Sequence, residues 1–208
     1  MTSTPRLRNQ MSYRKEKKYR LSYSDQLKLK SSLISLGLTK LHPSRVIHSK
    51  YFDTTNLTMF SDSEEGLVPR KKIRIRWYNN ESFSSLETKI SSAEGRFKSS
   101  KKIINKDQYN HVNESINDTM YGKILPTILV SYNREYYLLD KLKITFDSKI
   151  SYTDLRSKTK LNFKDFETVM EIKTSIETPD DYIKSIVPYS TSRFSKYSRG
   201  ILIANGIL

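Results

Sequence analysis

The sequence predicts an α+β domain built on a large antiparallel sheet or barrel, with helices flanking it. Three observations predict it. Eight segments carry β-branched and aromatic residues with polar or turn residues between most of them. Helical patterns are few and short. The 208 residues hold no internal repeat, long linker or low-complexity tract, so one domain with its own core suffices.

The elements follow in order. Residues 1–12 lack periodicity and read as a flexible basic tail, leaving 13–208 as the domain. A strand is expected at Lys15–Leu21. A helix is expected over Ser24–Leu36, capped by Ser24, with Leu29, Leu33 and Leu36 recurring along one face and Gly37 ending it. Arg45–Phe52 reads as a strand and Asn56–Asp62 as a helical turn. Strands are expected at Lys71–Tyr78, Phe83–Ile90, Lys98–Ile104, Thr127–Leu138, Leu142–Ile150 and Thr168–Thr174. Asn79-Asn80 and Leu139-Asp140-Lys141 are the expected hairpin turns. Helices are expected at Asp107–Ile116, Asp180–Ile186 and Arg199–Ala204.

Composition narrows the chemistry. The chain has 37 Lys+Arg against 22 Asp+Glu, a formal charge of +15, which points to polyanionic partners. With no cysteine, a disulfide scaffold, a thiol nucleophile and a thiolate metal site are excluded. His42, His48 and His111 have no paired spacing, against a histidine zinc site, and His48 reads as structural. No apolar run approaches the ~20 residues of a membrane helix, and no signal peptide is legible, so a cytoplasmic location is expected.

Alternation across the strands places charges in rows, because residues two apart share a face. Lys72, Arg74 and Arg76 oppose Ile73, Ile75 and Trp77. Glu87 with Lys89, Glu171 with Lys173, and Glu16 with Lys18 and Arg20 form similar rows. Lys143, Thr145 and Asp147 oppose Leu142, Ile144 and Phe146. One wet face per strand is ordinary in an antiparallel sheet. Five such strands in one sheet, if it closes, would make a basic, polar-lined tunnel, and its crowded cations would need an anion or metal among them. Asp53 and Asp147, at strand ends, read as turn or lysine partners.

Several segments in order resemble one family. They are Glu16-Lys17-Lys18-Tyr19, Tyr51-Phe52-Asp53-Thr54, the run Arg70–Tyr78, Leu86-Glu87-Thr88-Lys89, Ser131-Tyr132-Asn133-Arg134, Ile144-Thr145-Phe146-Asp147, Met170-Glu171-Ile172-Lys173 and Arg193-Phe194-Ser195-Lys196-Tyr197. Together they resemble the VTC (vacuolar transporter chaperone) polyphosphate polymerase domain of the triphosphate tunnel metalloenzymes, over roughly 13–204. The resemblance implies a β-barrel tunnel with flanking helices, whose members move the γ-phosphate of ATP onto a growing polyphosphate chain with Mn²⁺ or Mg²⁺. It implies that Arg74, Arg76, Lys89, Arg134 and Lys196 act in catalysis. Lys18, Lys72, Lys143 and Lys173 would bind substrate, and Glu171, supported by Glu16 and Glu87, would hold metal. Lys143 stands where the family often has Arg, and no SPX regulatory domain or membrane segment accompanies the match.

Two alternatives stand beside this reading. Triphosphatase relatives usually begin Glu-x-Glu-x-Lys, whereas Arg14 stands here where the extra glutamate would be. A non-catalytic polyphosphate or nucleic-acid binder would also suit the charge and the 14 tyrosines. No RNP, KH or zinc-finger pattern supports nucleic acid, however, and a tunnel would not admit duplex DNA.

Overall fold

A computed structural model describes residues 14–79, 81, 83–103 and 115–208. The 1–12 tail and His111 lie outside them, as do Asn80 of one expected turn and all but the last two residues of the expected 107–116 helix.

Among the described residues, ten strands and four helices follow one another along the chain. They are β1 Arg14–Leu21, α1 Tyr23–Ser35, β2 Thr39–Asp53, α2 Thr58–Glu65, β3 Arg70–Tyr78, β4 Ser84–Ser92 and β5 Gly95–Ile103. Then come β6 Ile116–Asp118, β7 Gly122–Leu139, β8 Leu142–Asp154, β9 Asn162–Lys164, β10 Thr168–Ser175, α3 Asp180–Ile186 and α4 Lys196–Ala204. The sheet runs β1-β10-β8-β7-β2-β3-β4-β5, antiparallel throughout, with β6 on β7 and β9 on β8. It curls into a half-barrel whose edges are β1 and β5. Glu16 and Lys18 of β1 nevertheless line the same cavity as Lys89 of β4, so the two ends face each other across a trough.

The period-two pattern sorts the faces. Tyr19 and Leu21 of β1 pack with Ile144, Phe146, Met170 and Ile172 on the convex side, under Leu29 and Leu33 of α1 and Ile183 of α3. Ile73 and Ile75 pack with Phe52 and Met59 of α2 on that side. The concave side carries the cations, and at one end of it α4 lays Tyr197 and Ile201 against Tyr51, Ile128, Val130 and Tyr152.

Several boundaries differ from expectation. Ser22, not Ser24, caps α1, its hydroxyl accepting from the Asp25 N–H at 3.0 Å, and Leu36 lies outside the core, 54% exposed. β2 starts six residues early, through Pro43. That stretch pairs only with β7, with register shifts on both sides of His42, and β3 joins from Ile47 onward; a proline is tolerated where no second ladder needs its N–H. The β7–β8 hairpin turns at Asp140-Lys141, with Asp140 at φ 48°, a conformation aspartate adopts more readily than most residues. α4 begins at Lys196, three residues before the expected Arg199.

Gly200 permits α4 to sit so deep. A Cβ there would lie 2.7 Å from Tyr152 Cδ1 and 3.0 Å from Ile128 Cδ1. Gly200→Ala is therefore expected to lower stability by about 1–3 kcal/mol through overpacking, although alanine is the better helix former. A thermal melt checks this; an unchanged midpoint would mean the helix can shift outward freely.

Candidate functional site

The concave face holds a cavity of about 190 Å³. β3 contributes Lys72, Arg74 and Arg76, all on one face because they alternate with Ile73 and Ile75. β4 adds Glu87 and Lys89, aligned with them by register: Arg74 opposes Glu87 and Lys72 opposes Lys89. From the other edge, β1 supplies Glu16 and Lys18, and β10 supplies Glu171 and Lys173, where Lys18 opposes Glu171 and Glu16 opposes Lys173. Arg134 of β7 and Lys196, the first residue of α4, complete eight cations against three carboxylates. Of the twelve residues expected at the site, eleven line this cavity. Lys143 does not: it opposes Lys173 on β8 but is exposed, beyond the lining.

The cations differ in what holds them. Arg74 donates from Nε and Nη2 to Glu87 at 2.8 and 2.5 Å, and from Nη1 to the Tyr51 hydroxyl at 2.9 Å. Arg134 donates from Nε and Nη2 to Asp147 at 2.6 and 2.7 Å, and Lys196 reaches the same carboxylate at 2.5 Å. Arg76 has no such brace. It donates to Ser49 Oγ and the Tyr132 hydroxyl, both at 3.1 Å, and lies 4.0 Å from Glu87. Lys72 donates to Ser195 Oγ at 2.9 Å and makes no ion pair among the described residues.

Charge crowding moves the titrations. Burial brings the Lys72 ammonium down to about 8, and Lys18, Lys89 and Arg74 push the same way. Lys89 is also lowered, by burial and then by Arg74. Burial would raise Glu87, yet Arg74, Arg76 and Lys98 hold it at about 2. Asp147, likewise resisted by burial, is held at about 2 by Lys196 and Arg134. Burial opposes ionisation of Tyr51 as well, but Arg74, Arg76 and Lys72 bring its phenol down to about 7.

Glu87, expected as a supporting metal carboxylate, is thus committed to Arg74 and Lys98, the latter at 3.0 Å. Glu16 and Glu171 touch only lysines, Lys18 at 3.1 Å and Lys173 at 2.7 Å. Among the described residues no group of three or more His, Cys, Asp or Glu is gathered for a metal. Two cavity-facing carboxylates still suit a hard divalent ion, whose remaining ligands can be substrate phosphate oxygens and water.

Asp147, expected as a turn or lysine partner, lies behind the cavity and pairs with Lys196 as well as Arg134, whereas Tyr51, Tyr132, Phe194 and Ser195, which line the cavity, were not singled out as site residues. Tyr51 and Asp147 stood inside quoted motifs, but only cross-strand register shows which cation each one meets. His48 proves structural: Nδ1 meets Ser131 Oγ at 2.8 Å, Nε2 meets Asn79 Oδ1 at 2.7 Å, and the ring stacks on Trp77. Asp53 accepts from the backbone N–H groups of Thr54, Met59 and Phe60 and from the Tyr197 hydroxyl, anchoring the start of α2. Lys15 and Lys17, outside the cavity, pair with Asp180 at the start of α3. No helix among the described residues is long and apolar enough to cross a membrane.

A family model described as the VTC domain matches residues 13–205. Among solved structures, the chain is similar to an adenylate cyclase candidate from Vibrio parahaemolyticus, with 13% identity, TM-score 0.55, and coverage of 91% of this chain and 98% of that one. A Bacillus halodurans adenylate cyclase candidate gives 13% identity and TM-score 0.52, covering 95% and 91%. A Hippeastrum adenylyl cyclase candidate, described as having a dominant triphosphatase activity, gives 17% identity and TM-score 0.51, covering 93% and 96%. At such identities the likeness speaks for the fold alone. No curated protein matches the chain at a significant level.

Proposed function

The chain belongs to the VTC domain family, and from that premise we propose that it is a polyphosphate polymerase, moving the γ-phosphate of ATP onto a growing polyphosphate chain. The observation that carries this reading is one cavity that gathers eight cations with three glutamates, of which Glu16 and Glu171 form their ion pairs with lysine.

Phosphoryl transfer asks a protein for in-line positioning and for charge opposite the transferring group. Arg74 and Arg134, fixed by Glu87 and Asp147, are preorganised donors that need not reorient as charge develops. Arg76 presents the fork least engaged by carboxylate and is suited to two-oxygen contact. Lys18, Lys72, Lys89, Lys173 and Lys196 would neutralise the remaining oxygens. The acceptor is a phosphate already ionised at neutral pH, so no strong general base is required. Glu16 and Glu171 would hold Mn²⁺ or Mg²⁺, which supplies Lewis-acid neutralisation of phosphate oxygens.

The same cavity could hold a triphosphate for hydrolysis, the activity described for the Hippeastrum relative. Transfer is favoured because carboxylates are few: Arg14 replaces the extra N-terminal glutamate, and Glu87 is engaged by arginine and lysine. Incubation of the full chain with ATP and Mn²⁺ separates the readings. Polyphosphate chains on a gel with ADP and little free phosphate are expected. Free phosphate without chains means a hydrolase, and no turnover means a binding role. Glu171→Gln should abolish metal-dependent turnover while keeping anion binding, since it removes a ligand charge and no cation. Unchanged manganese dependence in that variant would remove Glu171 from the metal site.

A further inference from the structure

Tyr51 is a cavity phenol whose oxygen is bonded by an arginine and by no carboxylate among the described residues. It is buried at 4% exposure, on β2, and its ring stacks on Tyr197 of α4 at 5.1 Å between centroids. Its oxygen accepts from Arg74 Nη1 at 2.9 Å, and the Arg74 guanidinium lies 5.7 Å from its ring. Lys72 and Arg76 of β3 and Lys89 of β4 add positive charge around it. The groups facing it from the other sides are neutral hydroxyls, Tyr132 of β7, Tyr152 of β8 and Tyr197, the last bonded to Asp53. Glu87, which accepts from the same Arg74, is also bonded to Lys98. The phenol oxygen is thus set where a counter-anion to these four cations belongs.

We propose that Tyr51 is a positioning residue of the phosphate site: as a phenolate it holds Arg74 in place, and it takes a proton from solvent when a phosphate chain engages the same guanidinium. The inference rests on the phosphate-binding part of the reading above and not on the direction of catalysis. An incoming phosphate oxygen provides the charge that the phenolate provided. Two anions on one guanidinium repel, and the weaker acid of the two gives way by protonation. No bond other than the O–H forms or breaks, and no co-reactant is needed. The low phenol midpoint of about 7 agrees with this geometry, because only ionised tyrosine is stabilised by such neighbours.

Below the midpoint the phenol is already protonated and binding takes up no proton through it. Above it, binding must add one, so affinity falls by up to roughly tenfold per pH unit through this residue. Lys72 contributes its own dependence, which Tyr51→Phe leaves in place.

The test uses the full chain and inorganic tripolyphosphate, one pH unit above the phenol midpoint, following the near-ultraviolet tyrosinate band while calorimetry reports binding. The expected result is loss of a band equal to most of one tyrosine on saturation. Tyr51→Phe should bind tripolyphosphate without that change and with about one proton fewer taken up per site. Binding by the wild type with no tyrosinate band, or with a band that does not respond, overturns the role of Tyr51 and leaves the phosphate site standing. Absence of any binding heat overturns the phosphate site and this inference with it.

Discussion

Replacing Asp147 with Ala lowers stability by about 3 kcal/mol, the low end of what removing one partner of a buried ion pair costs. The carboxylate is fully buried and bridges two elements, gripping Arg134 of β7 and Lys196 of α4 at once. Without it both cations keep their places near Tyr132, whose ring lies 5.3 Å from the Arg134 guanidinium and 4.6 Å from Lys196 Nζ, but lose their counter-charge. The loss stays at the low end because both cations line the open cavity and are not sealed in the core. A urea titration measures the loss, and a variant with an unchanged midpoint would show that the bridge is not stabilising. The pH dependence has a definite sign. The carboxyl is depressed to about 2, so its stabilisation is complete above the ordinary carboxylate range and disappears as pH falls from about 4 toward 2.

Arg76→Ala should cut turnover by roughly 10²–10³, the effect of losing one charge stabiliser of the transferring group. Arg76 is singled out among the arginines by its partners. Arg74 and Arg134 each spend two N–H groups on a carboxylate, so their alanine variants disturb Glu87 or Asp147 as well. Arg76 meets only hydroxyls at hydrogen-bond distance, and its removal orphans no buried charge. Stability should therefore change little while activity falls, and Arg76→Lys should recover part of the loss because it keeps the charge without the fork. If Arg76→Ala leaves both polyphosphate binding and synthesis intact, the inward face of β3 is not the phosphate wall.

How far the sequence reached is clear from particular residues. Alternation alone placed Lys72, Arg74 and Arg76 on one face and Ile73 and Ile75 on the other, because a strand's period is fixed by its backbone. Alternation does not say how far along the trough a residue lies. Lys143 shares the inward face of β8 and still falls outside the lining. It also does not say which strand comes alongside: Glu87 is expected as a supporting metal carboxylate, and only the register shows Arg74 opposite it. The early start of β2 was hidden for a similar reason, since Pro43 argues against a strand unless one side of the ladder is known to be open there.

The sheet order has a kinetic consequence. β1 forms its ladder with β10, more than 140 residues later in the chain, while β2 through β5 and β7 with β8 pair with strands much nearer in sequence, apart from the β2–β7 ladder. The β1–β10 ladder closes the longest loop in the sheet, so β1, with Glu16 and Lys18, is expected to join after the middle of the sheet has formed. A ribosome must release β10 before that wall of the trough can exist, and α4 with Lys196 follows later still. On the proposed reading, the middle of the sheet is a scaffold formed before its phosphate site is complete, since β1 and α4 supply Glu16, Lys18 and Lys196.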